Sequence, residues 1–426
     1  MKFAFLCLFI LSTLSKMTTA SPEFPVAQTE TTNQQTPPAS VEPERIRPFT
    51  INVNDEILQD LRERLSQTRL PDELPGTAWN YGTNRDYLEE LLSYWQTDFD
   101  WRVQERSLNA FDQFQTTIDG LDIHFIHQRS PHENALPLII THGWPGTFFE
   151  MHKVIPMLSD PASHGGDPVD AFDVVAPSMP GYGFSDAGAD RGLDIFTIGD
   201  MWAKLMSENL GYERFAAQGG DWGARVTARL GLSHGDKVVG IHTTSTTSPT
   251  PYLGPGSKEL SEEEQAMLQQ REHWLADEGG YSHIQSTKPQ TLSYGLNDSP
   301  AGLAAWIVEK YRRWSDCGNN VESRFTKDEL LTTVTIYWVT QSINSSARLY
   351  FEAFNKPWNL GTGERIQVPV GVAAFPVENT VPLREWSERA YNVQHWTDMP
   401  AGGHFAALEE PVNLVDDIRN FFRGLR

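Results

Sequence analysis

Cysteine is nearly absent. The 426 residues contain two, Cys7 and Cys317. That rules out a disulfide framework, and a chain of this length can bury enough core to do without one. Positive charge is also in short supply. Against 56 Asp and Glu stand 34 Lys and Arg, a net charge of -22. Phosphate binding needs a basic face, so no nucleic-acid partner is expected. The apolar run from Phe3 to Leu14 is too short for a comfortable membrane span. No internal repeat occurs, which excludes solenoids and propellers.

The amino-terminal residues are a separate element. Lys2, the apolar run and the small residues Thr18-Thr19-Ala20 read as a secretory signal peptide over residues 1–20. Export is therefore expected, the alternative being a retained anchor that keeps the protein on a membrane. Removing the leader takes away Lys2, Lys16 and Cys7, so the mature chain is more acidic and has one thiol. Residues 21–44 are rich in Pro, Thr, Gln, Ser and Glu and read as a disordered linker. Asn297-Asp298-Ser299 and Asn344-Ser345-Ser346 fit the N-glycosylation pattern.

Ordered structure is expected from about residue 45. Ile57, Leu58, Leu61 and Leu65 form an apolar stripe behind a cap at Asn54-Asp55, and a second helix runs over Tyr87–Trp95. This helical arm either packs on the body or braces a lid. Asp119-Gly120 between alternating runs signals a hairpin. Leu136–Ile140 and Phe172–Pro177 read as buried parallel strands, Ile198–Leu210 as a helix closed by Gly211, and Val238–His242 as a further strand. The period then changes. Over residues 250–361 the pattern is of loops and helices (Glu262–Leu275, Leu303–Trp314, Leu330–Phe354) rich in Trp and Tyr. Strands return at Ile366–Ala374 and Val393–Trp396 before a last helix, Leu414–Phe422. Strands alternating with helices imply a mostly parallel sheet with helices on both faces.

Gln218-Gly219-Gly220-Asp221-Trp222-Gly223 sits between a weak strand, Arg214–Ala217, and a helical run. The small–x–Asp–x–small frame is the nucleophile elbow of the α/β-hydrolase fold with Asp in place of Ser. A nucleophile needs a base, and the base needs an orienting group. Gly402-Gly403-His404-Phe405 supplies His404 after the last strand, and Glu378 follows the strand ending at Ala374. The rivals Glu385 and Glu388 look helical and exposed.

Taken together these motifs resemble the epoxide hydrolases of the microsomal and juvenile-hormone type. The likeness includes the helical arm, His142-Gly143-Trp144-Pro145, the elbow, Phe375-Pro376-Val377-Glu378, and the run from Gly402 to Pro411. It covers nearly everything after residue 45. It implies an α/β-hydrolase core over residues 131–249 and 362–426, an arm and first hairpin over 45–130, and an inserted helical lid over 250–361. It also implies a cis peptide at the Trp144-Pro145 turn. By the same resemblance two lid tyrosines, Tyr281 and Tyr350, hold the epoxide oxygen. The residues alone do not single them out from Tyr294, Tyr311 and Tyr337.

The implied chemistry is hydrolysis of a hydrophobic epoxide to a vicinal diol. Asp221 attacks a ring carbon, Tyr281 and Tyr350 protonate the oxygen, and His404 with Glu378 activates the water that cleaves the ester. Backbone N–H groups of Trp144 and Trp222 stabilise the oxyanion. His142 is expected to be structural. An alkoxide nucleophile would leave a stable ether, whereas a carboxylate leaves an ester that water can cleave. No cofactor or metal is expected. The expected partners are the epoxide and water, with a second copy of the chain left open. Two alternatives stand beside this reading: a haloalkane dehalogenase, and a binding protein on the same fold.

Overall fold

The computed structural model describes residues 46–188, 192–246, 256–358, 360 and 364–426. The leader, the linker, and the lid boundaries expected at 249/250 and 361/362 lie outside the described residues.

Nine strands among the described residues form one sheet. They are β1 (Arg47–Pro48), β2 (Gln113–Ile118), β3 (Leu121–Gln128), β4 (Leu136–Thr141), β5 (Phe172–Pro177), β6 (Phe215–Gly219), β7 (Val238–Thr243), β8 (Ile366–Ala374) and β9 (Tyr391–Asp398). Their order is β1-β2-β3-β5-β4-β6-β7-β8-β9. β1, β2, β3 and β5 pair antiparallel in turn, and every pairing from β5/β4 to β8/β9 is parallel. The Asp119-Gly120 hairpin forms, with both residues at positive φ.

The apolar run of β4 is explained by burial on both faces. Ile139 joins the core layer that contains Val175, Ala217, Trp202 and Val226. Its neighbours Leu138 and Ile140 join the opposite layer with Val174, Ala216, Ile418 and Phe421. The weak β6 signal also has a cause. Phe215-Ala216-Ala217-Gln218-Gly219 is buried throughout and hydrogen-bonded on both sides, to β4 and β7. Pairing on two edges overrides its low intrinsic preference.

The arm consists of three helices, Asp55–Ser66, Arg85–Thr97 and Trp101–Leu108, capped by Asn54, Asn84 and Asp100. Of the expected stripe, Leu58, Leu61 and Leu65 are buried, but Ile57 is 38% exposed. The third helix was not legible, since its buried face includes Glu105, whose carboxylate accepts from Val53 N–H at 2.7 Å and from the Trp101 indole at 3.1 Å. The arm braces the lid helices as well as the body. Arg64 pairs with Asp298 at 2.6 Å, the Thr83 hydroxyl donates to Ala305 C=O at 2.7 Å, and Tyr94 donates to Asp328 at 3.0 Å.

Among the described residues, six α-helices lie between β7 and β8: Glu262–Glu278, Gly280–Thr287, Pro289–Asp298, Pro300–Trp314, Lys327–Thr340 and Ile343–Asn355. The helix expected over Leu330–Phe354 is two helices. Gln341 takes a left-handed conformation (φ 52°) and ends the first of them. With neither Gly nor Pro at the break, the apolar spacing reads straight through it. The helix expected over Ile198–Leu210 runs as an α-helix over Ile195–Lys204 and then as a π-turn, Leu205–Asn209, ahead of Gly211 at φ 79°. No described helix is long and apolar enough to cross a membrane.

Candidate active site

The chain runs from β4 outward to β5 on one side and returns past β4 to β6 on the other. Such a reversal opens a crevice at the carboxyl ends of the strands. Each motif is delivered there: Gly143-Trp144 after β4, Asp221 after β6, Glu378 after β8 and His404 after β9.

The elbow is built by close approach. Asp221 sits at φ 50°, a backbone conformation that costs a side-chain-bearing residue energy and is kept where packing over-determines it. A Cβ on Gly219 would stand 2.3 Å from Gly223 O, and one on Gly223 would stand 1.9 Å from Thr141 O. Strand and helix backbones therefore cross where only glycine fits. The helix Asp221–Ser233 follows at once.

At the tip, Trp144 N–H donates to Asp221 Oδ1 at 2.8 Å, and the N–H of Trp222 lowers the carboxylate's pKa without a close hydrogen bond. Asp221 Oδ2 lies 3.5 Å from His404 Nε2. His404 Nδ1 donates to Glu378 Oε1 at 2.6 Å, and the Asn379 backbone N–H donates to the same oxygen at 2.8 Å. The Trp144-Pro145 peptide is cis. His142 lies to one side. Its Nδ1 donates to Gly143 C=O at 3.0 Å and its Nε2 accepts from Met179 N–H at 3.1 Å. Burial holds it far below the usual imidazole range, at about 4, so it is a neutral strut.

The charges are strongly coupled. Burial raises the Asp221 pKa, opposed by His404 and by the two N–H donors. Burial alone would discharge His404, but the Glu378 carboxylate, with Asp221 behind it, outweighs that and lifts the ring to about 9. His404 is thus an imidazolium at neutral pH, set between Asp221 and Glu378.

Asp221 and His404 open on a cavity of about 680 Å³. Tyr281, Tyr350 and Trp222 line it together with Trp274, Phe354 and Trp386. Tyr281 comes from Gly280–Thr287 and Tyr350 from Ile343–Asn355, with ring centroids 5.8 Å apart. Burial and the nearby Asp221 charge raise the Tyr281 pKa far above the ordinary phenol value, and burial raises Tyr350 likewise, so both stay protonated. The Tyr350 hydroxyl approaches Tyr281 and Trp222 more loosely than a hydrogen bond and is left without a partner. The other lid tyrosines are elsewhere. Tyr294 is 72% exposed, Tyr311 is fully buried against Thr333, and Tyr337 donates to Gly146 C=O at 3.0 Å.

Two carboxyls beside the site were missed in the sequence. Glu409 accepts from Phe405 N–H at 3.0 Å and from Asp316 N–H at 2.7 Å, tying the His404 loop to the segment after Trp314. Its burial was signalled only by the apolar residues around it in Phe405–Leu408. Glu150, on the turn Phe148–Met151, reaches in towards His404 and Asp221, and a lone acid in a short, otherwise apolar turn gave no sign of this.

Residues 46–151 match the family described as "Epoxide hydrolase N terminus", and residues 137–281 match "alpha/beta hydrolase fold". The chain is 40% identical to epoxide hydrolase 1 of Sus scrofa, over 90% of each chain. It is 38% identical to juvenile hormone epoxide hydrolase 1 of Ctenocephalides felis, over 88% of this chain and 84% of that one. Among solved structures, the juvenile hormone epoxide hydrolase of the silkworm Bombyx mori superposes with a TM-score of 0.81 at 31% identity, covering 90% of this chain and 95% of that one.

Proposed function

This chain belongs to the epoxide hydrolases of the α/β-hydrolase fold, and on that footing we propose that it converts hydrophobic epoxides to vicinal diols through a covalent ester on Asp221. One observation carries the reading. A single cavity is faced by a carboxylate held on the Trp144 backbone N–H, by an imidazole 3.5 Å from it, and by two protonated phenols.

The proton count closes on these residues. At rest Asp221 is anionic and His404 is charged. Asp221 Oδ attacks a ring carbon, and the ring C–O bond breaks as the oxygen takes a proton from Tyr281 or Tyr350. The phenol is restored by the proton of His404. Esterification removes the Asp221 charge that helped hold that proton, so the ring becomes neutral and basic when a base is needed. Water then adds to the ester carbon and gives a proton to His404. The oxyanion that forms is met by the N–H groups of Trp144 and Trp222, typically worth about 2.7–4 kcal/mol per donor. Collapse expels the diol, whose oxygen is protonated by the new carboxyl, and the resting state returns.

A single turnover in oxygen-18 water tests the scheme. The first diol is expected unlabelled, its added oxygen coming from Asp221; a labelled first diol would show direct attack by water. Bromoalkanes are expected to release no halide, because the cavity offers phenols for an oxygen. We propose that the leader is an export signal and that the exported protein starts at Ser21, a terminus its intact mass reports.

A further inference from the structure

A second, much smaller void of about 10 Å³ lies beside Asp221, bounded by Gly143, Trp144, Gly220, His404 and Glu150. That is about the room of one water molecule. Glu150 is the one wall residue of this void outside the proposed machinery that carries a carboxyl. Its carboxyl is folded back over the main chain, so that a Cβ on Gly146 would stand 2.3 Å from Glu150 Oε2. No hydrogen bond to this carboxyl is found among the described residues. Glu150 is half-buried, and a carboxyl that faces a void of this size without a protein partner is normally satisfied by water.

We propose that Glu150 positions the hydrolytic water. The inference rests on the covalent-ester reading above. The water sits in the small void, gives one hydrogen to His404 Nε2 and directs the other to a Glu150 carboxyl oxygen. Its lone pair then faces the Asp221 ester carbon. Glu150 makes or breaks no covalent bond. The water oxygen bonds to the ester carbon, one proton passes to His404, and the other leaves the new carboxyl for the departing alkoxide.

The charge state suits the task. Burial raises the Glu150 pKa to about 8, with Asp221, Glu378 and Glu409 adding to the rise and His404 opposing it. Tyr311, which also feels Glu150, is a protonated phenol. A neutral carboxyl can orient water without setting a second anion beside the developing oxyanion.

Rapid-quench single turnover of styrene oxide, with the mass of the Asp221 peptide followed in time, separates ester formation from ester hydrolysis. Glu150→Leu is expected to form ester within about threefold of the wild-type rate and to hydrolyse it roughly 10²-fold slower, the usual cost of a misplaced reactant. Glu150→Gln, which keeps an acceptor oxygen, should recover hydrolysis to within about tenfold. Gly146→Ala, which pushes the carboxyl aside, should also slow hydrolysis alone and serves where Glu150→Leu does not fold. Unchanged hydrolysis in Glu150→Leu or Gly146→Ala overturns the proposal, as does an equal loss in both half-reactions. Failure to trap any ester, even in His404→Gln, overturns the covalent reading instead.

Discussion

Val377 pairs with Gly403 as an isolated parallel bridge, and the next residues along the two segments are Glu378 and His404. The orienting acid and the base, 26 positions apart, are thus held in register by backbone before their side chains meet at 2.6 Å. Glu378→Gln keeps this frame and removes the negative charge that holds the ring proton. Turnover is expected to fall by on the order of 10²–10⁴, as when an orienting carboxylate is made neutral in a hydrolase triad. Ester hydrolysis should suffer more than ester formation. Equal losses in rapid-quench kinetics would sink the assignment.

The same pair makes stability depend on pH. An imidazole in the unfolded chain titrates near 6.5, whereas native His404 is held to about 9. Between those values the native state binds a proton that the unfolded chain has released. Its contribution is full below 6.5 and disappears as pH rises through about 9. Glu150 and Glu409, raised by burial to about 8 and about 7, act in the same direction above the ordinary carboxylate range. Thermal unfolding midpoints are therefore expected to decline from pH 6.5 to 9, and to decline less steeply in Glu378→Gln. A midpoint that rises over this range contradicts the charge assignment.

Tyr281 and Tyr350 approach the cavity from different helices, so each can be removed without moving the other. Loss of a positioned acid typically costs about 10²–10⁴-fold. With a second phenol in place, Tyr281→Phe or Tyr350→Phe should each lower kcat/KM by roughly 10–10²-fold. The double variant should abolish ester formation while remaining folded. Tyr294→Phe, at a phenol 72% exposed, is the control and should leave kinetics untouched. If the double variant still forms ester at the wild-type rate, another acid protonates the oxygen.

Much of this was legible in sequence, for physical reasons that differ from place to place. The run Leu136–Ile140 read as a strand in the middle of a parallel sheet, and the hairpin at Asp119-Gly120 announced itself through turn chemistry. Asp221, Glu378 and His404 stood out because each follows a strand and has glycine or proline within two residues. The tyrosine pair did not stand out, because phenols packed in a core and phenols facing a cavity have the same local pattern. Resemblance singled them out, and the structure then set Tyr294, Tyr311 and Tyr337 apart from them. The break at Gln341 was hidden because no residue there demands it. Glu150 was hidden because its role depends on a backbone, that of Gly146, curling beneath it.

The elbow itself makes the strongest claim on stability. Gly223 lies on the first turn of the helix after Asp221, and a methyl group there would stand 1.9 Å from the carbonyl oxygen of Thr141. That oxygen belongs to β4, which is hydrogen-bonded to β5 and β6 and cannot retreat without opening the centre of the sheet. A flexible side chain would swing aside; a central strand does not. Gly223→Ala is therefore expected to cost more than about 4 kcal/mol, in the range where a single change is diagnostic of a backbone or overpacking clash. Chemical denaturation of the variant, or its failure to accumulate as folded protein, reads this directly. A Gly223→Ala protein with wild-type stability would mean that helix and strand do not cross as closely as the elbow requires, and Asp221 would lose the strained backbone that aims it.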